Sequence, residues 1–264
     1  LNMKKLLTAL AAAAALTSAA AHAGEISVAA TAVPHAGLLE FVKPALAKEG
    51  VELKIKVFTD YVQPNVQVAE GRLDANFFQH QPYLDEFNKA KGTQLVSVAG
   101  VHIEPLGVYS TKIKKLDELS SGATVVIPND ATNGGRALLL LQKTGLSSLK
   151  PEAGITATVK DIADNPKNLK ITELEASQTA RSLPDVGASV INVFMALDAG
   201  LNPKSDAIYI EPVNEQSKPY YNIIVSRAKD KDNATYKKIV DAYRSDDVKK
   251  LIDKLYKGAV IPLW

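Results

Sequence analysis

Short β-rich runs alternate with helical runs along most of this chain, and that rhythm restricts its architecture more than any other feature. Residues 25–30 read as a strand and 36–48 as a helix. In 51–58, Val51, Leu53, Ile55 and Val57 alternate with Glu52, Lys54 and Lys56, the period of a strand with one face buried. Pro64 opens a helix to about residue 70, at a position where its missing N–H costs nothing. A strand over 74–78, a helix over 82–91, a strand over 95–101 and extended chain over 106–110 complete the first half. The second half has strands over 124–127, 169–174, 188–192, 207–211 and 220–226. Its helices fall over 135–144, 177–183, 193–199, 234–244 and 246–256. This alternation predicts an α/β fold with largely parallel sheets, in which ligands collect at the carboxyl ends of strands.

The start of the chain sets the compartment. Lys4 and Lys5 precede an apolar run over 6–16, and Ala21-His22-Ala23 forms a small-x-small cleavage site. Residues 1–23 are therefore expected to be a signal peptide cleaved after Ala23. The apolar run is shorter than the roughly 20 residues needed to span a bilayer, so an exported, soluble protein is expected. The sequence contains no cysteine, which excludes disulfides and predicts a protein without a lipid anchor. Cleavage would remove Lys4 and Lys5 and no acid, leaving basic and acidic residues equal in number. Such a neutral chain lacks the basic excess of nucleic-acid proteins, and no nucleic-acid partner is expected.

Two strand-to-helix junctions carry the chemistry. After the β-rich run at 123–127 come Pro128, a polar stretch with Asn133, Gly134 and Gly135, then Arg136 and a leucine run. The start of a helix leaves N–H groups unpaired and carries partial positive charge, so it suits an anion. Placed at 135, the helix would hold Arg136 in its first turn, where a cation is misplaced unless a carboxylate or phosphate lies between. An ordinary capped helix with Arg136 in solvent is the alternative. At the second junction, 74–84, Phe78, His80, Gln81 and Tyr83 gather around a turn, where aromatic rings can wall a pocket and His80 can give a directed contact. Phe77, facing the other side of the strand, is expected in the core. Tyr61 sits at the equivalent turn after 51–58. Asn192 ends a strand and could be satisfied by backbone capping, whereas Asn222, among Tyr221, Ile223 and Ile224, demands a polar partner.

Catalytic signatures are sparse: there is no cysteine nucleophile, no G-x-S-x-G elbow and no phosphate-binding G-x-x-x-x-G-K-[ST]. His35, His80 and His102 with Glu104 offer metal-ligating groups, but without helical ligand spacing, and neither a metal nor a cofactor is expected. The lysine-rich segment 229–257 is interleaved with aspartates and reads as a solvated helical face.

Taken together, the stretches 60–65 (DYVQPN), 74–80 (DANFFQH), 128–136 (PNDATNGGR), 165–169 (NPKNL), 190–192 (VIN) and 220–225 (YYNIIV) resemble the methionine-binding, NlpA-type substrate-binding proteins of bacterial ABC importers. The likeness runs in order through nearly the whole chain after residue 23. It implies a two-lobed periplasmic-binding fold of type II, with a ligand cleft between lobes, a periplasmic location, no enzymatic activity, and delivery of a free amino acid to an inner-membrane ABC permease by a monomer. One lobe is expected to comprise 24–107 with 222–264 and the other 108–221, the chain crossing near 104–108 and 219–222. Carried onto this sequence, Arg136 would pair with the ligand carboxylate, and Asn133 would shape the helix start. Asn192 and Asn222 would bond the head group, and Tyr61, Phe78 and His80 would enclose the side chain. A planar cation for a carboxylate and rings for a thioether agree with the residue chemistry. Most relatives carry a lipidated cysteine, which is missing here, and Val193-Phe194-Met195 departs from the family's usual residues after Asn192. L-methionine, D-methionine, a methionine dipeptide or another amino acid all remain open as ligand. Outside this family, the alternatives are an enzyme of small amino-acid derivatives or an exported protein binding a divalent metal.

Overall fold

The computed structural model describes residues 24–264; the expected signal peptide and its cleavage site lie outside the described residues. The first part of the chain forms β1 (Gly24–Thr31), α1 (Gly37–Lys48), β2 (Val51–Phe58), α2 (Gln63–Ala69), β3 (Ala75–His80), α3 (Gln81–Lys91) and β4 (Leu95–Ile103). Next come β5 (Gly107–Tyr109), β6 (Thr124–Pro128), α4 (Ala131–Lys143), β7 (Ser148–Leu149), β8 (Ile162–Asp164), β9 (Lys170–Leu174) and β10 (Ala188–Ile191). The remainder forms α5 (Val193–Asp198), α6 (Pro203–Asp206), β11 (Tyr209–Ile210), β12 (Asn222–Arg227), α7 (Ala234–Tyr243), α8 (Asp246–Tyr256) and β13 (Ile261–Pro262).

These strands build two main sheets. The first has the order β13-β4-β12-β3-β1-β2 and the second β11-β5-β10-β6-β9, while β7 and β8 pair separately. Strand β1 runs parallel to β2 and β3, because α1 and α2 carry the chain back between them. Strand β12 enters between β3 and β4 antiparallel to both, since it arrives from the second sheet. In that second sheet β6 is parallel to β9 and β10, and β5 is antiparallel to β10 and β11. The chain leaves the first sheet after Ile103 and returns at Asn222. The α/β fold expected from the alternation forms, but the expected largely parallel sheets do not: both main sheets are mixed, because β5, β11, β12 and β13 pair antiparallel.

Each sheet has its own core. Helix α1 turns Leu38, Leu39, Val42 and Leu46 onto the first sheet, the stripe an amphipathic helix uses. Each such side chain stabilises by about 1.5–3 kcal/mol when fully buried. The C-terminal helices join this core through Tyr236, Ile239, Tyr243, Val248 and Ile252. The second core gathers Val125, Ile127, Leu138, Leu141 and Val190. A third cluster, with Ile191, Phe194 and Met195, packs against Val33 and Tyr61 and so joins the two halves.

Three local expectations need correcting. Helix α4 begins at Ala131, not at 135: Asp130 caps it, its Oδ1 accepting the Asn133 N–H at 2.9 Å. Gly134 and Gly135 lie within the helix, where other backbone presses on them. A Cβ on Gly134 would come within 2.9 Å of the Pro128 carbonyl oxygen, and one on Gly135 would collide with the Ile155 carbonyl. The helix expected over 177–183 is two 3₁₀ turns, Ala176–Gln178 and Leu183–Asp185, the second holding Pro184, which has no N–H to continue a helix. Strand β3 runs on to His80, two residues beyond its expected end.

Candidate functional site

A cavity opens where the two sheets face each other, and all seven expected residues line it: Tyr61, Phe78, His80, Asn133, Arg136, Asn192 and Asn222. The first sheet supplies Phe78 and His80 from the end of β3, Tyr61 from the turn after β2, and Asn222 from the start of β12. The second supplies Asn133 and Arg136 from α4 and Asn192 from the end of β10. Phe77 points the other way, fully buried in the first core. Four further residues line it: Tyr83, already placed by the sequence at a turn whose rings could wall a pocket, with Gln79, Glu104 and Val193.

One wall is aromatic. The Tyr61 and Phe78 rings lie 6.0 Å apart, Phe78 meets Tyr83 edge-on at 5.7 Å, and the Tyr83 hydroxyl donates to the Tyr61 carbonyl at 2.6 Å. Tying up that hydroxyl leaves the rings to present apolar surface.

Arg136 departs from its expected setting. With α4 starting at Ala131, it is the sixth helical residue and lies beyond the first turn, so the helix start does not oppose its charge. Its guanidinium is held from within the protein: Nε donates to Glu211 Oε2 at 2.9 Å, and Nη2 donates to Glu211 Oε1 at 2.5 Å and to the Glu104 carbonyl at 3.0 Å. Its Cζ sits 4.3 Å from the Tyr220 ring centroid, a cation–π distance. The fork reserved in the sequence reading for a ligand carboxylate thus grips Glu211, and Nη1 takes no part in these contacts. Both Arg136 and Glu211 are buried, so each compensates the other's lost hydration.

Polar side chains join the two halves. His80 Nε2 lies 3.0 Å from Asn133 Oδ1, which also accepts from Asn192 Nδ2 at 3.2 Å. His80 Nδ1 accepts the Tyr83 N–H at 3.4 Å and caps α3, so Nε2 carries the proton. Burial and the nearby Arg136 push His80 down to about 4, which keeps it neutral. Asn192 stands at the start of α5 without capping it through its side chain. Its Oδ1 is buried and has no partner among the described residues, a free acceptor in the cavity wall.

Beside these, Glu104 forms the anionic part of the site. Its Oε2 lies 2.7 Å from His102 Nε2 and 2.9 Å from His35 Nε2, and His35 Nε2 is also 2.8 Å from Asn222 Oδ1. Burial pushes the Glu104 carboxyl up, but the adjacent His35 and hydrogen bonds from both imidazoles outweigh it and hold the group well below the usual carboxylate range. Of the four residues offering metal-ligating groups, His35, His102 and Glu104 converge, their ligating atoms within 4.8 Å of one another, whereas His80 stands apart in another network. Asn222 finds the polar partner its apolar strand demanded.

Glu104 and Glu211 left a readable signal. Ile-Glu-Pro occurs twice, at 103–105 and 210–212, each time as the lone charge in an otherwise uncharged stretch. Both copies lie where the chain passes between sheets. A solitary carboxylate within an apolar run is expensive unless something polar meets it.

Residues 26–264 match the model of the NlpA lipoprotein family. The D-methionine-binding lipoprotein MetQ of Escherichia coli is 46% identical over 224 residues, covering 84% of this chain and 82% of the relative. The protein of the same name from Salmonella typhimurium is 47% identical over 224 residues, with the same coverage of each chain. A nutrient-binding protein from Burkholderia cenocepacia, solved bound to methionine, superposes with a TM-score of 0.87 at 48% identity, covering 90% of this chain and 100% of the other. These findings overturn the expectation of a protein that is not lipidated and has no lipid anchor. The family and both curated relatives are lipoproteins by name, which outweighs an inference from missing cysteine. The matched region, the level of identity and the shared fold agree, and the chain belongs to the NlpA lipoprotein family.

Proposed function

We propose that this chain is the substrate-binding protein of a bacterial ABC importer, taking up methionine in the cavity between its sheets and delivering it to an inner-membrane permease. The observation that carries this reading is the pairing, in one buried site, of charged and amide groups fit for an amino-acid head group with an aromatic wall fit for a thioether. The methionine-bound relative of the same fold supports it. In this reading Arg136, through Nη1, and Asn222 take the carboxylate. Glu104 and the free Oδ1 of Asn192 accept from the α-ammonium, while Tyr61, Phe78, Tyr83 and Val193 surround the side chain. His80 and Asn133 touch across the cleft and bind ligand by closing over it. The lobes are 24–107 with 222–264 and 108–221. The protein binds without turnover: its cavity holds an ion-paired arginine and a hydrogen-bonded carboxylate, groups arranged to hold charge in place.

Mass spectrometry of small molecules released on denaturation, with calorimetric titration of methionine, tests this reading. One equivalent of methionine should bind and be recovered unchanged. A chemically altered ligand, or no binding of any free amino acid, would defeat it.

A further inference from the structure

The carboxylate of Glu104 is held by an arrangement more elaborate than burial requires. His35 Nε2 faces two oxygen acceptors, Asn222 Oδ1 at 2.8 Å and Glu104 Oε2 at 2.9 Å, so that nitrogen must carry a proton. His102 Nε2 meets the same Oε2 at 2.7 Å. The far nitrogen of each ring is also fixed, His35 Nδ1 by the Thr31 hydroxyl at 2.7 Å and His102 Nδ1 by the Tyr243 hydroxyl at 2.6 Å. Phe77 packs its ring against both imidazoles, 4.6 Å from His35 and 5.5 Å from His102. Both histidines are buried and neither lines the cavity, so they act on a ligand through Glu104. Two N–H groups therefore converge on Oε2, while Oε1 takes no part in these bonds and the residue lines the cavity.

We propose that His35 and His102 are positioning residues that keep Glu104 ionised and turned toward the cavity, so that the site selects ligands with a free α-ammonium and does so in mildly acidic surroundings as well. This rests on the reading of Glu104 as the ammonium acceptor. The other groups around the carboxylate do not supply that behaviour. His80, pushed to about 4, stays neutral down to mildly acidic pH. Arg136 stays cationic and is ion-paired to Glu211. Tyr61, Tyr243 and Tyr256 are all raised by burial and stay protonated. Without the two imidazole donors, burial would push the Glu104 pKa up, opposed by Arg136, whose charge is already engaged by Glu211.

The test compares methionine with its desamino analogue, which keeps the thioether and the carboxylate but lacks the amine. Affinities are measured by calorimetry at about pH 7.5 and about pH 5 for the wild type, His102→Leu and His102→Gln, a span that crosses the usual histidine range. The wild type should prefer methionine by the same ratio at both pH values. In His102→Leu, which keeps the His35 contact, that ratio should still fall on acidification, by up to about tenfold for each pH unit below the raised Glu104 pKa. His102→Gln, whose amide can still donate toward Glu104, should keep most of it. A purely structural role would weaken both ligands alike, and a His102→Leu ratio that follows the wild type at both pH values overturns the proposal. Should His102→Leu not fold, the carboxyl carbon of Glu104 is followed by NMR in the ligand-free wild type, assigned with Glu104→Gln. An ionised carboxylate at about pH 5 supports the proposal, and a protonated one overturns it. If Glu104 stays ionised yet the wild type shows no preference for methionine, the ammonium assignment fails and the positioning by the two histidines stands.

Discussion

At the scale of single residues, Arg136 holds Glu211 and, in the proposed function, the ligand carboxylate as well. Because its fork holds buried Glu211 and the Glu104 carbonyl, Arg136→Ala should destabilise the ligand-free protein as well as weaken binding. Leaving one partner of a buried pair uncompensated typically costs about 3–5 kcal/mol. Urea unfolding without ligand measures this, and Glu211→Gln in the Arg136→Ala background should recover part of the loss. Unchanged ligand-free stability in Arg136→Ala would show that the pair contributes nothing. Phe78 gives a different signature. It lines the cavity and is only 5% exposed, so Phe78→Ala should weaken methionine binding by about 2–4 kcal/mol through lost apolar burial and sulfur–aromatic contact. Asn222→Ala should weaken all α-amino acids alike. A calorimetric panel of methionine, leucine, norleucine and glutamine distinguishes the two, and reversed patterns would exchange the assigned roles.

At the scale of elements, α4 is where chemistry and packing meet. Its capped first turn carries Asn133 into the cleft and its second carries Arg136, while its glycines let the Pro128 and Ile155 backbones approach. Gly135→Ala should therefore destabilise despite alanine's better helix propensity, which alone would favour it by about 1 kcal/mol. The added Cβ meets main chain, and overpacking of that kind costs about 1–3 kcal/mol. A raised melting temperature for Gly135→Ala would show that the segment around Ile155 yields freely. Methionine affinity should fall along with stability, because any shift of α4 moves Arg136 and Asn133 together.

For the whole molecule, the proposed closure over ligand would link stability to ligand, and the contact of His80 with Asn133 links it to pH. Anything that binds only the native state stabilises it, by about 4 kcal/mol at a concentration of 1,000 Kd. Methionine should therefore raise the melting temperature by several degrees, and methionine methyl ester, lacking the carboxylate charge, far less. An equal response to both would remove the proposed contact between carboxylate and Arg136. His80, which joins the halves through Asn133, sets a pH window. Its folded pKa is depressed to about 4, below the unfolded value of about 6.5, so the folded state binds fewer protons between them. Stability is thus lost as pH falls from about 6.5 to about 4, whereas the contribution of Glu104, whose pKa is also depressed, is complete above its unfolded value of 4.5 and fades only below it. His80→Gln should flatten the decline in that window, measured by urea unfolding across the range. A slope equal to that of the wild type would exclude His80 as its source.

By itself the sequence determined the α/β class, because periods of two and of 3.6 residues are local properties of side-chain order, legible at 51–58 and in the stripe of Leu38, Leu39, Val42 and Leu46. Its resemblance to a known family brought forward the residues that the structure gathers around one cavity. Junctions were less legible: the Asp130 cap and the Gly134-Gly135 pair look like a turn until the backbone pressing on them is seen. What only the tertiary structure decided was partnership. Glu211 is 75 residues from Arg136 in sequence, and Asn222 is 187 from His35. No local pattern encodes which distant carboxylate meets which cation. That choice follows from the chain crossing twice between its sheets, which brings both Ile-Glu-Pro segments to the cleft, where burial makes every unpaired charge costly and every pairing specific.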